Sequence, residues 1–441
     1  MAATGVTSLA DLLVAGDDIA VYTGDEVVTR SELIARADAV ARGLDVAPCQ
    51  PVEVQLPNGI DLVATMFGVW RAGGVYVPIN PRLTATEVAR IHRSVQGPHE
   101  RDIALIQFTS GTTGAPKPVL LRHSGVLTLL DGVISTLRTK PSTKPPMPNL
   151  IPVSLSLWAG IYQVLFAFRV GAPIVIMEQF ETASFAELVR RFGIRSTVLP
   201  PAAMTMLSDD TDVDDLSPLK YVRSISAPLS PLQARRFKQR FGIAVLNGYG
   251  QTEIGGEIVG WSGADTKEFG ETKLGAVGRP HKDVAVRVDD TGELQVRTPA
   301  LGAGYANGTD LSDRLTADGW FRTGDIGRID DDGFVWIEGR VSDMINRGGL
   351  KVFPEEVAEV LRLSPAVADA AVAGAPDDRL GEVPWAFIVP AVEAIDLDEL
   401  TALCREHLAP YKVPVRIEVV DALPRNEIGK VMTATLLANV R

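Results

Sequence analysis

Segments with apolar residues at helical spacing alternate with short continuous apolar runs. That pattern predicts helices packed on the faces of a mainly parallel sheet. In the first part of the chain the spacing predicts a helix over Ser31–Gly43, a strand over Val52–Leu56, a helix over Gly59–Ala72 and a strand over Gly74–Ile79. The same alternation returns at Phe185–Phe192 into Ser196–Leu199 and at Pro231–Phe241 into Ala244–Gly248, with the proline-rich Lys140–Asn149 as a surface connection. Beyond Lys273 short strands are predicted at Val284–Val288, Leu294–Val296, Ile326–Ile329 and Val335–Glu338. Turns at Asp289–Gly292 and Asp330–Gly333 punctuate them, as in a small antiparallel subdomain. The character changes again near Arg340–Asp343. There Glu355–Leu363, Ala366–Gly374, Trp385–Val389, Leu397–His407 and Arg416–Val420 read as an α+β unit of about a hundred residues. The expected architecture is α/β: a large N-terminal domain, 1–339, of parallel-sheet βα subdomains plus a small antiparallel β subdomain, followed by a mobile α+β C-terminal domain, 340–441.

The longest apolar run, Leu157–Met177, is interrupted by Gln163, Arg169, Gly171 and Pro173, which suits a buried helix, a turn and a strand and not a membrane span. Met1–Asp18 has no basic stretch before its apolar residues and does not read as a secretory signal. With a formal net charge of −12 and scattered Lys and Arg, the 441-residue chain is not expected to bind nucleic acid as its main partner. Cys49 and Cys404 are too few for a disulfide scaffold or metal cluster, and the five histidines form no ligand-spaced pair. These features predict a cytoplasmic protein without a transmembrane segment. The acidic cluster Asp209–Asp215 reads as a solvated loop.

The run Ile103–Ile106 leads into Thr109-Ser110-Gly111-Thr112-Thr113-Gly114-Ala115-Pro116-Lys117. Small hydroxylated residues and two glycines let backbone N–H and side-chain O–H groups converge on anionic oxygens, with Lys117 as a mobile cation at the end. A Walker loop is excluded, because Pro116-Lys117-Pro118 denies backbone donors and blocks a helix start. Alone, the stretch could equally be a polar turn closing a strand.

Further motifs shift that balance: Tyr249-Gly250-Gln251-Thr252-Glu253, Trp320-Phe321-Arg322-Thr323-Gly324-Asp325, Gly339-Arg340 followed by Gly348-Gly349, and Pro424-Arg425-Asn426-Glu427-Ile428-Gly429-Lys430. Together, and in this order, they resemble the adenylate-forming superfamily of acyl-CoA synthetases, peptide-synthetase adenylation domains and luciferases. The chain is most like an acyl-CoA synthetase, with a shortened N-terminal part between Pro81 and Phe108.

The resemblance implies a site for ATP, Mg²⁺ and CoA. The loop Thr109, Ser110, Gly111, Thr112, Thr113, Gly114 and Lys117 would hold the β- and γ-phosphates. Glu253 would carry Mg²⁺, Thr252 would donate to an α-phosphate oxygen, and Lys430 would bridge the acid and the α-phosphate. Tyr249 would stack on adenine, Gly248 and Gly250 beside it would belong to the ATP site, Asp325 would hold the ribose hydroxyls, and Arg340 would face ribose or phosphate. Gly348 and Gly349 would line the pantetheine tunnel. Candidate acyl-binding residues are Trp158, Tyr162, Ala227, Gly248 and Ile254. His123 and both cysteines are assigned to structure.

Departures from the family's pattern are specific. Ser342 stands where the hinge is usually Asp or Lys, Leu155 replaces a frequent histidine, and Ser226 replaces a usual glycine. No aspartate stands between Ile151 and Val175 to pair with a substrate ammonium, which argues against an α-amino acid. The expected activity is ATP-dependent ligation of an apolar acyl or aryl carboxylic acid to CoA. An adenylating enzyme serving a separate carrier-protein thiol or an amine is the second reading, and a non-catalytic nucleotide-binding homologue the third.

Overall fold

A computed structural model describes residues 6–24, 26–109, 116–137, 145–225, 229, 231–425 and 431–439. Three sheets built largely from parallel pairs make up the first part. One orders Glu26–Thr29, Ile19–Thr23, Ile174–Ile176 and Asn149–Ile151; the last three run parallel and the first pairs antiparallel. A second runs Pro51–Val54, Val75–Pro78, Ile103–Thr109 and Lys117–Arg122, parallel until its final antiparallel pair. The third is wholly parallel, with Tyr221–Ser224 between Ala244–Asn247 and Ser196–Leu199.

The helices arise where the pattern placed them, at Arg30–Gly43, Ile60–Arg71, Thr182–Phe192 and Pro231–Phe241. Local chemistry starts and stops them. Thr29 accepts from the Glu32 N–H while Glu32 accepts from the Thr29 N–H, satisfying orphan donors of the first turn. Gly193 takes φ +60° after Phe192, a left-handed cap that suits glycine. Leu157–Met177 forms the helix Trp158–Arg169, a turn, and the strand Ile174–Ile176. No helix among the described residues is long and apolar enough to cross a membrane. The acidic cluster makes turn hydrogen bonds, with Asp210 accepting from the Asp212 N–H at 2.9 Å and Asp215 from the Ser217 N–H at 2.8 Å. His123 is structural as expected, accepting the Leu9 N–H at 3.0 Å.

Two differences from the sequence reading concern elements. The strand expected over Ile326–Ile329 begins earlier and spans Phe321–Ile329. The connection expected over Lys140–Asn149 ends in a strand, because Asn149–Ile151 pairs with Ile174–Ile176; 138–144 lie outside the described residues.

After Lys273 the sheet Ala285–Val288, Glu293–Arg297, Phe321–Ile329, Val335–Arg340 is antiparallel throughout. The chain leaves it at Arg340, turns through 341–343 and enters a further sheet built on the hairpin Val367–Asp377 and Gly381–Pro390. That unit packs its own core, including Val357, Leu361, Ala386, Ile388, Leu400 and Cys404.

On the helix Pro354–Leu361 burial, with Glu355 nearby and against the pull of Arg362, pushes the Glu359 carboxyl up to about 7 from 4.5. The fold therefore holds this proton to higher pH than the unfolded chain. The stability tied to it is complete below about pH 4.5 and is lost as the pH rises to about 7. Glu359→Gln is expected to raise the melting temperature by about 2–4 °C at pH 8 and to leave it unchanged at pH 4. Paired melts at the two pH values check this, and equal shifts at both would refute the assignment.

Candidate active site

The carboxyl ends of the parallel strands Tyr221–Ser224 and Ala244–Asn247 open onto a cleft of about 2970 Å³, where open α/β sheets bind ligands. Its opposite wall comes from the C-terminal unit, including Glu355, Glu359 and Arg362. At the strand end the Gly248 N–H donates to the Ser224 carbonyl at 2.9 Å. The chain then forms Tyr249–Gln251, a short 3₁₀ turn at Thr252–Ile254, and the returning strand Gly256–Gly260.

The 3₁₀ turn presents Thr252 and Glu253 to the cleft. The Glu253 carboxylate is buried, yet its polar side-chain contacts among the described residues are long: Tyr305 Oη at 3.5 Å and Arg314 Nη1 at 3.6 Å, both to Oε1. Lys117 Nζ stands 5.5 Å from the Tyr305 ring centroid, and Thr109 and Lys117 face each other as a cross-strand pair. Lys117, Tyr305, Arg314 and Glu253 thus gather at one end of the cleft. The loop residues Ser110, Gly111, Thr112, Thr113 and Gly114 lie outside the described residues, as do Ala227 and Lys430.

No group of three or more His, Cys, Asp or Glu that could cage a metal occurs among the described residues. A single carboxylate with lone pairs to spare suits Mg²⁺, which takes one or two carboxylates and completes its shell with water and substrate phosphate. The donor set therefore fits that ion.

The second group centres on Asp325, 2 % exposed. It accepts from Tyr249 Oη at 2.7 Å, Gln251 Nε2 at 2.7 Å and Arg340 Nε at 2.7 Å. Strand register explains the last contact, since Asp325 and Arg340 are partners across the antiparallel pair. Burial, with the Asp325 charge beside it, raises the Tyr249 phenol well above its usual range, so it stays a donor. Asp325→Asn leaves three donors facing one acceptor oxygen and removes the stronger of the two negative charges beside Arg340, leaving Asp343. With Arg340 partly exposed, a stability loss of about 1–2 kcal/mol is expected. The KM for ATP is expected to rise about tenfold. Thermal melts and steady-state kinetics check both, and an unchanged KM would separate Asp325 from nucleotide binding.

The helix Trp158–Arg169 forms another wall. Trp158 donates from Nε1 to the Gly255 carbonyl at 3.0 Å and meets Tyr162 edge-on at 5.8 Å between ring centroids. Trp158, Tyr162 and Gly248 line the cleft, but Ile254 does not: it is fully buried in the main core. That placement corrects the expectation for Ile254, whose side chain the 3₁₀ turn directs inward. The apolar stretch Leu155–Phe168 divides between the core and the cleft wall. Ile161, Val164 and Leu165 have no exposure and pack in the core, while Trp158, Tyr162, Gln163, Phe166 and Ala167 line the cleft. The run therefore serves both the core and the cleft wall.

Gly348 and Gly349, expected beside CoA, are exposed at the tip of the hairpin Ile345–Arg347 and Leu350–Val352, outside the cleft lining. Their φ values of +60° and +91° give a direct reason for glycine, because a two-residue hairpin turn of this hand needs positive φ at both positions. Ser342 is exposed in the turn after Arg340, lines the cleft and donates to Asp343 Oδ1 at 2.9 Å.

Sequence reasoning missed Tyr305, Arg314, Arg223, Glu257 and His281. Tyr305 and Arg314 lie in an irregular stretch without periodicity. A usable signal existed for Arg223, a charged residue in the middle strand of a parallel sheet, where apolar residues are the rule. Glu257 gave a similar signal inside the otherwise apolar Gly256–Gly260.

These elements define a nucleotide-binding α/β enzyme fold with its site at the strand ends. The AMP-binding enzyme family matches residues 13–97 and 92–306, and the AMP-binding enzyme C-terminal domain matches 356–430. The chain belongs to this adenylate-forming family. It is 34% identical to a 2-succinylbenzoate–CoA ligase of Bacillus velezensis over 345 residues, 75% of this chain and 68% of that protein. It is 27% identical to a long-chain-fatty-acid–CoA ligase of Mycobacterium tuberculosis, covering 89% and 88%. Among solved structures, an amide bond synthetase from Marinactinospora thermotolerans superposes with a TM-score of 0.87 at 26% identity, covering 98% of this chain and 99% of the other.

Proposed function

We propose that the protein is an ATP-dependent, AMP-forming carboxylate–CoA ligase. A carboxylate oxygen of the acid attacks the α-phosphorus of ATP; the acyl–phosphate bond forms as the α–β anhydride bond breaks, and pyrophosphate leaves. The CoA sulfur then attacks the acyl carbonyl. A carbon–sulfur bond forms, AMP leaves with the bonding pair, and the thiol proton is released. The observation that supports this reading best is the placement of buried Glu253, with lone pairs to spare, and of Asp325, suited to ribose hydroxyls, along one cleft.

Within that reading Glu253 holds Mg²⁺, and the ion, when bound, neutralises charge on the triphosphate. Lys117 and the loop from Thr109 hold the outer phosphates, and Thr252 donates to the α-phosphate. Tyr249 presents its ring to adenine, its phenol tied to Asp325. Arg340 shares Asp325 with the ribose, and Lys430 bridges acid and α-phosphate. We divide the chain into an N-terminal adenylation domain, 1–339, and a C-terminal domain, 340–441, that turns about Ser342 between half-reactions. The turn at 341–343 and the separate core of the C-terminal unit support that division. Free Cys49 and Cys404 accord with a cytoplasmic enzyme.

The test is acid-dependent pyrophosphate release from ATP and Mg²⁺ over fatty, aryl, dicarboxylic and amino acids, with and without CoA. Release that yields a thioester with CoA is the expected result. Release indifferent to CoA would move the acceptor to a carrier-protein thiol or an amine. Lys430→Ala should abolish pyrophosphate exchange, and unchanged exchange would sink the adenylation step.

A further inference from the structure

The wall of the cleft beside Trp158 and Tyr162 holds a cluster that nucleotide binding and adenylation leave unused. Arg223 and Glu257 both line the cleft and form a close ion pair, their side chains 14% and 10% exposed. His281, with no exposed side-chain surface, brings Nε2 to 3.5 Å from Glu257 Oε1 without forming a hydrogen bond, and that nitrogen has no hydrogen-bond partner among the described residues. Tyr162 Oη, also buried, has no hydrogen-bond partner among the described residues. Its neighbour Gln163 leaves Oε1 without a hydrogen-bond partner among the described residues as well.

The backbone makes room for this group. A Cβ on Gly260 would fall 2.4 Å from Glu257 Oε1, and one on Gly248 would fall 3.0 Å from Glu257 Cδ. The carboxylate thus occupies space that the two glycines leave open. Burial opposes its ionisation, yet the Arg223 guanidinium and His281 outweigh that and hold the Glu257 carboxyl below its usual range. The charges of Glu257 and Arg223 also act on Tyr162, whose phenol burial keeps protonated.

Orphaned polar atoms buried beside a cleft are costly unless a ligand group or water reaches them, by about 1–3 kcal/mol each. A purely alkyl chain against this wall would leave Tyr162 Oη unpaired. A second carboxylate would add a buried charge to a pair already balanced one against one, and an ammonium would do the same with opposite sign. We infer that the acid carries, away from its reacting carboxyl, an uncharged hydrogen-bonding group such as a hydroxyl on an apolar or aryl frame, read by Tyr162 with the Arg223–Glu257 pair. This inference rests on the ligase reading and specifies its substrate class.

Matched acids test it in the pyrophosphate-release assay on the full chain. One set pairs an aryl propenoic acid with its para-hydroxy analogue; the other compares a linear acid with its ω-hydroxy and ω-carboxy analogues. The hydroxylated member of at least one set is expected to exceed its unsubstituted partner in kcat/KM by about tenfold or more. Tyr162→Phe, which keeps the ring in place, should lower that ratio by about tenfold, and Glu257→Gln should lower it too. Melts of both variants confirm that they fold. Activity with no preference for the hydroxyl, a preference for the ω-carboxy acid, or a ratio unmoved in both variants would overturn this inference and leave the ligase standing. Silence with every acid would overturn the ligase reading itself and this inference with it.

Discussion

Glu253→Gln is expected to lower acid-dependent pyrophosphate release about 10²–10³-fold and to raise the Mg²⁺ concentration needed for half-maximal rate. The substitution keeps the shape of the side chain and one acceptor oxygen. What it removes is the negative charge, which the described residues use only lightly: the nearest partners among them stand at 3.5 and 3.6 Å. Stability should therefore change little, and a melt run beside the kinetics separates the two effects. A carboxylate with such loose contacts, buried at the tip of a 3₁₀ turn among Lys117, Tyr305 and Arg314, is suited to a charge that arrives with the substrate. A variant with near-native rate and an unchanged Mg²⁺ requirement would remove Glu253 from the metal site.

Gly250→Ala is expected to cost about 3 kcal/mol of stability and to depress both half-reactions together. A Cβ at this position would sit 1.8 Å from the Gly256 carbonyl oxygen and 2.8 Å from the Glu257 Cα. Both neighbours are backbone, so no side chain can swing aside; the hairpin itself must open. That hairpin sets Tyr249 against Asp325 on one side and Glu253 in the cleft on the other. Opening it displaces the nucleotide end of the site as a unit. Loss of activity with an unchanged melting temperature would contradict this account and point to direct contact between Gly250 and the nucleotide.

The two substitutions separate kinds of information in the motif Tyr249–Glu253. The motif names residue types suited to nucleotide chemistry, and the resemblance assigns them roles. It does not say that Gly250 is glycine because a carbonyl from six residues ahead approaches it. Likewise Gly348 and Gly349 read as clearance for a ligand, whereas their positive φ values answer to a hairpin turn. Ile254 shows the same limit, since its neighbours face the cleft while it fills the core. Periodicity fails over such a short irregular turn, where one residue of rotation moves a side chain from ligand to interior.

By itself the sequence determined the order and type of many elements. Ser196–Leu199, Pro231–Phe241 and Leu397–His407 stand where the pattern placed them, because apolar spacing of two or 3.6 residues is a local property. It also determined the family and the residue types at the nucleotide end. Only tertiary structure decided how Asp325 is shared among Tyr249, Gln251 and Arg340, and that Tyr305 and Arg314 flank Glu253. It alone brought Arg223, Glu257, His281 and Tyr162 together across up to 119 positions of chain, Tyr162 to His281. Those meetings depend on sheet order and on which helix face turns inward. Both are settled by packing between segments distant in sequence, for which no local pattern of residues provides a signal.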